Sequence, residues 1–587
     1  MPDRDPTCIG KVRHVLGSTV TVALNCDLAG VAPIYKGHLL PIGQIGSLVR
    51  IPQGIIDLVG SVSLVGIAEL SGAPVPSDSV QRDERWLQVQ LLGEIDRASG
   101  KFHRGVSTYP GLDDSVHFAT PFDLRTIFPQ PGPEHLQLGY LAASDEVPLC
   151  LDAAKLVTRH AAIVGSTGSG KTSAVASILQ RFLSGGWTAA NIVVIDPHGE
   201  YSAALGESAA IRSVLGDEGN RLRVPFWALP AQEISRIFTG GLGSATFSSR
   251  FNEYVANARK KFVSDATWLN LDPTSVTADT PVPFDIREVW YKLDSENRET
   301  RNTAADETSV AILQEGDAQQ LQSKQFSPYA QGNRAPFKGP FYGVYGMSPD
   351  LLRLGLLNPQ LRFFLEPQGT VQGPDPLLEV IPEWLGNTSP VSVLDFSGVP
   401  ALAADLAIGV ILNLLFELCL RSEKGGAGIG RASPVLVVLE ESHRYLGATA
   451  TPLTRDSANR IAREGRKYGV GIMLVTQRPT ELPDTALAQC GTLVALRLSN
   501  TADQGTIKAA LPDTVAGLAS VLPSLRTGEA IVSGEALVMP ARAVLTLPKP
   551  RPKADDPTLD PWRVATKNLD LQQSIQQWRG TYEETDV

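Results

Sequence analysis

The stretch GSTGSGKT, Gly165 to Thr172, carries residue types suited to phosphate chemistry. It fits the pattern G-x-x-x-x-G-K-[ST], in which glycines let the backbone wrap phosphate oxygens and N–H groups at a helix start point at them. A strand-like run, HAAIVG, precedes it, and a helix-like run, KTSAVASILQRFLSGG, follows it. A glycine-rich turn that happens to contain lysine would not need that context. The expected nucleotide-binding set is Gly165, Ser166, Thr167, Gly168, Ser169, Gly170, Lys171, Thr172 and Ser173. Lys171 is expected to reach the β- and γ-phosphates and Thr172 to hold Mg²⁺. ATP and Mg²⁺ are therefore the implied cofactors.

A second stretch, VLVVLEESHRYL, runs from Val435 to Leu446. Five apolar residues suited to the centre of a parallel sheet end in Glu440 and Glu441. An acidic surface turn is the bland reading. With a phosphate loop in the same chain, the expectation is a strand beside the P-loop strand, its acids facing the metal and the attacking water. Glu440 would orient Mg²⁺ through a water, and Glu441 would polarise the water that attacks the γ-phosphate. GIMLVTQRP again ends an apolar strand in polar residues, which makes Gln477 a candidate contact to the γ-phosphate or that water. IDPHGEY puts Asp196, His198 and Glu200 at a strand's carboxyl end, where α/β ligands sit. No further histidine or cysteine lies near them in sequence, so they read as site-shaping rather than as a metal site. TRDSANRIAREGRKYGVG carries Arg455, Arg460, Arg463, Arg466 and Lys467. This is ordinarily a solvated basic helix. Its place between the acidic strand and the Gln477 strand would also let it reach a neighbouring subunit's nucleotide.

These residues need an α/β scaffold. Residues 1–135 read as short β strands at barrel-like spacing, ending in the linker FPQPGPEHLQLG. Alternating strands and helices over 136–204 and 389–547 read as the two parts of one RecA-like core. Residues 205–388 read as a helical insertion, with SENRETRNTAADETSVAILQEGDAQQLQSKQF helical apart from disordered patches. Residues 548–587 form a proline- and charge-rich tail. The expected fold class is α/β: a P-loop core with an amino-terminal β-barrel and a helical insertion.

The net charge of −10 argues against a generally basic nucleic-acid coat but leaves room for a local basic channel. Five cysteines with no CxxC pair give neither a zinc knuckle nor a disulfide framework, and the start MPDRDPTCIG has no apolar signal core. A cytoplasmic protein is the expectation. The greasiest run, LAADLAIGVILNLLFELCL, is broken every fourth residue by Asp405, Gly409, Asn413 and Glu417. It reads as a buried helix with a narrow polar stripe, not a membrane span.

GSTGSGKT, IDPHGEY, LEESHRYL, REGRKYGVG and TQRP, in this order and with a large insertion, resemble the HerA family of hexameric DNA-translocating ATPases, in the HerA–FtsK branch of P-loop motors. IGKV, LLGEI and FHRGVSTYP resemble turns of that family's HAS-barrel, and RTGEAIVSGEAL its closing strands. The resemblance implies a homohexameric ring with ATP between subunits and double-stranded DNA in the central channel. Lys171 and Thr172 then match the Walker A pair, Glu441 the catalytic acid, Glu440 its acidic predecessor and Gln477 the sensor. Arg466 matches the trans arginine, with Arg463 second, and Arg159 matches an arginine that contacts nucleotide. Glu440 departs from the aspartate often found there, being one methylene longer. The family's habits imply a separate nuclease or NAD-consuming effector partner in DNA processing or antiviral defence, and the sequence carries no such constellation of its own. Two other readings are an ATP-regulated hexameric scaffold that activates an effector, and an ATPase of the secretion or conjugation type.

Overall fold

The computed structural model describes residues 5–25, 34–35, 38–39, 44–67, 85–128, 130–303, 306, 308–332, 334–365, 371–422, 428–512, 515–553, 560–563, 571–572 and 575–576. They form two compact units. One comprises Met1–Arg212, Glu383–Asp395 and Leu415–Lys553, and the other Ser213–Pro382, Phe396–Leu414 and Ala554–Val587.

The first unit begins with a barrel. Its strands are β1 (Cys8–Leu16), β2 (Thr19–Leu24), β3 (Leu48–Gln53), β4 (Ile56–Ile67), β5 (Arg85–Asp96), β6 (Lys101–Arg104) and β7 (Ser115–Phe118). The order is β2-β1-β7-β3-β4-β5-β6, and β2 also pairs with β5, which closes six strands and leaves β6 on the outside. Alternation fills the interior: Val20 and Val22, Val49 and Ile51, Leu87 and Val89 all point inward.

The rest of this unit is built on one sheet. Its strands are β8 (His135–Leu141), β9 (Ser144–Asp152), β10 (Ala161–Val164), β11 (Asn191–Asp196), β12 (Ala210–Ser213), β13 (Val391–Asp395), β14 (Val435–Leu439), β15 (Val470–Thr476), β16 (Thr492–Leu496), β17 (Glu529–Gly534) and β18 (Ala541–Leu545). The order is β9-β8-β18-β17-β16-β10-β15-β14-β11-β13-β12. The run from β16 to β13 is parallel, and β17, β18, β8 and β9 continue it antiparallel. Both faces of the parallel strands are covered, so β10, β14, β15 and β16 are buried at every position. One expectation fails here. The acidic strand β14 does not lie beside the P-loop strand β10, because β15 is hydrogen-bonded between them, with Val164 opposite Thr476 and Leu439 opposite Leu474. All of these strands are apolar runs of similar length, so sequence offers no cue to their order.

Helix α1 (Lys171–Ser184) follows β10, and helix α2 (Pro452–Tyr468) leads back into β15. Ala401–Arg421 is, among the described residues, the one helix long and apolar enough to cross a membrane. Most of it is buried in the protein, while Asp405, Asn413 and Glu417 are half-buried, as the four-residue spacing of its polar residues predicts.

In the second unit, helices Ala231–Thr239, Ala245–Asp265, Ile286–Arg298 and Ser348–Leu357 pack together, and Trp227 and Trp290 are both fully buried. The fully buried Arg259 donates to the carbonyls of Trp227, Leu229 and Ala278 and ties loops to the longest of these helices. The stretch read as helical from Ser295 to Phe326 is helical only to Arg298. Beyond it come short antiparallel pairs, Thr300–Arg301 with Phe337–Lys338 and Ile312–Gln314 with Gln325–Phe326. Asp306 and Asp317 bond to backbone N–H groups two residues on, which competes with helix formation. Of the patches expected to be disordered, residues 304, 305 and 307 lie outside the described residues, as does most of the tail.

Candidate active site at the carboxyl edge of the sheet

The P-loop leaves β10 at the carboxyl edge. Gly168 and Gly170 have φ of 72° and 103°, values that favour glycine and that bend the loop back over the start of α1. The loop is pinned from three sides. The Gly165 N–H donates to the Thr476 carbonyl at 3.2 Å, the Ser166 N–H to the Arg497 carbonyl at 2.8 Å, and the Gly528 N–H to the Ser169 carbonyl at 3.1 Å. The cap residue of α1 is Gly170, which offers no side-chain cap, so the first-turn N–H groups at Lys171, Thr172 and Ser173 lack both intrahelical and side-chain acceptors. That is the geometry of an anion cradle. Lys171 is buried, and its Nζ donates to the Ser166 carbonyl at 3.3 Å. Burial holds its pKa below the usual lysine range against the opposing charges of Glu441, Glu440 and Glu200.

Those acids come from neighbouring strands. Glu440 directly follows β14, with its N–H on the Ile195 carbonyl at 3.3 Å and its Oε2 accepting from the Tyr201 hydroxyl at 2.6 Å. Its pKa is pushed up to about 8, first by burial and then by Glu441, Glu200 and Asp196, while the Tyr201 bond opposes the rise. A divalent cation here would reverse that balance and favour the carboxylate. Glu441 has φ of 51°, a left-handed conformation uncommon for a long side chain, which the flanking bonds impose: Ser442 N–H to the Val475 carbonyl at 2.9 Å and Arg444 N–H to the Glu441 carbonyl at 2.9 Å. Its Oε2 is buried and makes no hydrogen bond. His443 Nδ1 lies 3.2 Å from that oxygen, but its bond is to Thr476 Oγ1 at 3.1 Å. Burial depresses the His443 pKa, and Thr476 Oγ1 also accepts from the Arg478 N–H. The ring tautomer sets whether Nδ1 accepts the Thr476 hydroxyl's hydrogen bond or donates one to it, and in the first case Glu441 Oε2 faces a lone pair.

Gln477 follows β15, and its Oε1 accepts a hydrogen bond from the Thr167 hydroxyl at 2.6 Å, so it touches the P-loop directly. Asp196 is fully buried and accepts from the N–H groups of His198, Gly199 and Tyr201, which makes it the organiser of the turn after β11. His198 is exposed, and no cluster of three metal-ligating side chains occurs among the described residues. The groups that fit a nucleotide and Mg²⁺ are therefore Lys171, the α1 start, Thr172, Glu440 and Glu441. The orphaned Ser169 Oγ and Glu441 Oε2 are further polar atoms facing a need.

Three arginines do not join this cluster within the chain. Arg159 was expected at the nucleotide, but it sits at the far end of β10, four strand residues and roughly 13 Å from the loop, paired to Glu535 Oε2 at 2.6 Å. Arg463 and Arg466 are exposed near the carboxyl end of α2, just before β15 starts, hence at the amino edge of the sheet. Arg466 lies close enough to buried His160, which precedes β10, to lower its pKa. Arg460 is held by Glu417 at 2.5 Å and lies over the Phe416 ring.

Several residues at the site had no signal in the sequence: Tyr201, the Thr476 hydroxyl, Arg497 and Ser499 behind the P-loop, and Thr527 and Gly528 against it. Tyr201 closes the IDPHGEY stretch, and Gly528 belongs to RTGEAIVSGEAL. Their proximity to strands hundreds of residues away has no local signal. The start of the tail also bonds to this part of the fold: Lys549 N–H donates to Gln180 Oε1, and Lys553 N–H to the Glu200 carbonyl.

The family description "Helicase HerA, central domain" matches residues 136–331, and "Helicase HerA-like C-terminal" matches residues 391–549. A probable helicase of Methanocaldococcus jannaschii is 24% identical over 485 residues, 81% of this chain and 82% of its own length. A DNA double-strand break repair helicase HerA of Sulfolobus acidocaldarius is 24% identical over 495 residues, 84% of either chain. Among solved structures, VirB4 of Thermoanaerobacter pseudethanolicus aligns over 71% of this chain and 98% of that one, with a TM-score of 0.45 and 13% identity. Consecutive domains of one family account for both parts of the core, and the chain belongs to the HerA helicase family.

Proposed function

We propose that this chain is an ATP-driven motor acting on double-stranded DNA as a hexameric ring. Lys171 and the N–H groups at the start of α1 bind the triphosphate, and Thr172 and Glu440 are the residues that would hold its metal. Bound Mg²⁺ would neutralise β- and γ-phosphate oxygens. Glu441 takes a hydrogen bond from the attacking water through Oε2 and draws off its proton. Gln477, already on Thr167, senses the state of the γ-phosphate. Arg466, then Arg463, would serve the neighbouring subunit's nucleotide, and their position at the amino edge of their own sheet fits that use better than action within one chain.

The observation that carries this reading is the pairing of a buried, unsatisfied Glu441 oxygen with a buried Lys171 at the mouth of an uncapped helix. A cytoplasmic setting and a separate nuclease or NAD-consuming effector belong to the same proposal and rest on the family resemblance. The test is ATP turnover with and without duplex DNA across a salt series. Wild-type turnover should rise with duplex and that of Lys171→Ala should not. If duplex DNA alters neither turnover nor binding at any salt concentration, the motor reading is wrong.

A further inference from the structure

Tyr201 is 0% exposed, and its ring belongs to the main apolar core of the sheet unit. Its backbone is fixed as firmly as its ring. The Asp196 carboxylate accepts from His198, Gly199 and Tyr201 N–H groups at 3.1, 2.9 and 3.1 Å, which shapes the turn that turns Tyr201 inward. Strands β11 and β14 are adjacent and parallel, with Ile195 opposite Leu439, so the residues just beyond each strand meet. The phenol hydroxyl there donates to Glu440 Oε2 at 2.6 Å.

A glutamate has one more rotatable bond than an aspartate, so its carboxylate starts less well placed. One donor on an immobile ring removes that freedom. A neutral phenol does so without adding a positive charge that would repel a cation, and at 2.6 Å the bond is at the short end for a hydroxyl donor. Removing the hydroxyl leaves a buried carboxylate oxygen without its donor.

We propose that Tyr201 is a positioning residue that locks one Glu440 oxygen and so presents the other to the nucleotide-bound divalent cation. This inference rests on the nucleotide-site reading above. It makes the longer acid at position 440 and the tyrosine at 201 a matched pair.

The test uses the full chain, a fluorescent methylanthraniloyl ATP, and titrations in Mg²⁺ and in EDTA, alongside ATP turnover over a Mg²⁺ series. Tyr201→Phe keeps the ring and should keep wild-type affinity in EDTA. It should lose most of the affinity gained from Mg²⁺ and need about ten- to a hundredfold more Mg²⁺ for half-maximal turnover. In a Glu440→Gln background the same change should add nothing. An unaltered Mg²⁺ requirement overturns the inference. So does an equal loss of affinity in Mg²⁺ and in EDTA, or an additive loss in the double variant, either of which would mean a packing role. If the wild-type protein gains no nucleotide affinity from Mg²⁺, the nucleotide-site reading fails, and this inference goes with it.

Discussion

At the carboxyl edge of the parallel sheet, Glu441 Oε2 and Ser169 Oγ are buried without hydrogen-bond partners, and Glu441, Glu440 and Glu200 all act on the charge of Lys171. At the amino edge of the P-loop strand, the two polar residues that precede it are paired. Arg159 is matched by Glu535, and the His160 ring takes the Ile472 N–H on Nδ1 at 3.1 Å and bonds the Ala462 backbone. Both edges hold a residue in left-handed conformation, Glu441 at φ 51° and His160 at φ 55°. At one edge the strained residue is left unsatisfied, at the other it is fully bonded. Burial alone therefore does not distinguish a reacting centre from a structural one. Unmet hydrogen-bonding capacity alone does not either, since Ser392 Oγ and Ser533 Oγ elsewhere in the sheet are also buried without hydrogen-bond partners; the carboxyl edge joins it to a phosphate loop and converging charges.

The largest break of this contrast should come from Glu441→Gln. Turnover is expected to fall about 10²–10⁴-fold while nucleotide still binds, measured by steady-state hydrolysis and by fluorescent-nucleotide titration. Near-normal turnover would move the base role to Glu440 or Glu200. Next, Arg466→Ala should lower turnover about a hundredfold or more. Mixing it with Lys171→Ala chains should restore part of the loss, because some sites would pair an intact P-loop with an intact arginine. No recovery on mixing would argue against action between subunits.

His160 sharpens the other side. Burial first, and then the Arg466 charge, push its pKa down from 6.5 to about 4. The neutral ring is what the fold holds. Its contribution is complete above pH 6.5 and is lost as pH falls toward about 4, since the unfolded chain binds the proton first. The full span corresponds to about 3 kcal/mol at this 4% exposed site. His160→Asn, which tolerates the left-handed backbone, should flatten the fall in thermal midpoint between these pH values. A slope as steep as wild type would assign the acid sensitivity elsewhere. The smallest effect expected is from Arg159→Ala. Its pair with Glu535 is half-exposed, so chemical denaturation should show a loss of about 0–1 kcal/mol. A larger loss would mean that the amino edge depends on that pair.

Much of the candidate site was legible because it is local. The P-loop needs left-handed glycines within a few residues of a helix start, and that requirement is written in GSTGSGKT. The acids after VLVVL, and Gln477 after GIMLVT, were legible for a related reason: polar residues that end a buried strand call for a use. The barrel was legible through period-two alternation. The short strands after Arg298 were not, because polar stretches rich in Ser, Thr and Asp carry no periodicity, and side-chain bonds to nearby N–H groups decide their shape.

What sequence by itself determined was therefore the identity and local form of each chemical part: the phosphate loop, two acids at a strand end, a basic helix. Tertiary structure alone decided how the parts face one another. It put β15 between the P-loop strand and the acidic strand, sent Arg159 and Arg466 to the opposite edge, and brought Tyr201 to Glu440 across 239 residues. The reason is physical. Backbone torsions and hydrogen bonds over a few residues are encoded where they act, whereas the order of equally apolar strands depends on packing summed over the whole sheet.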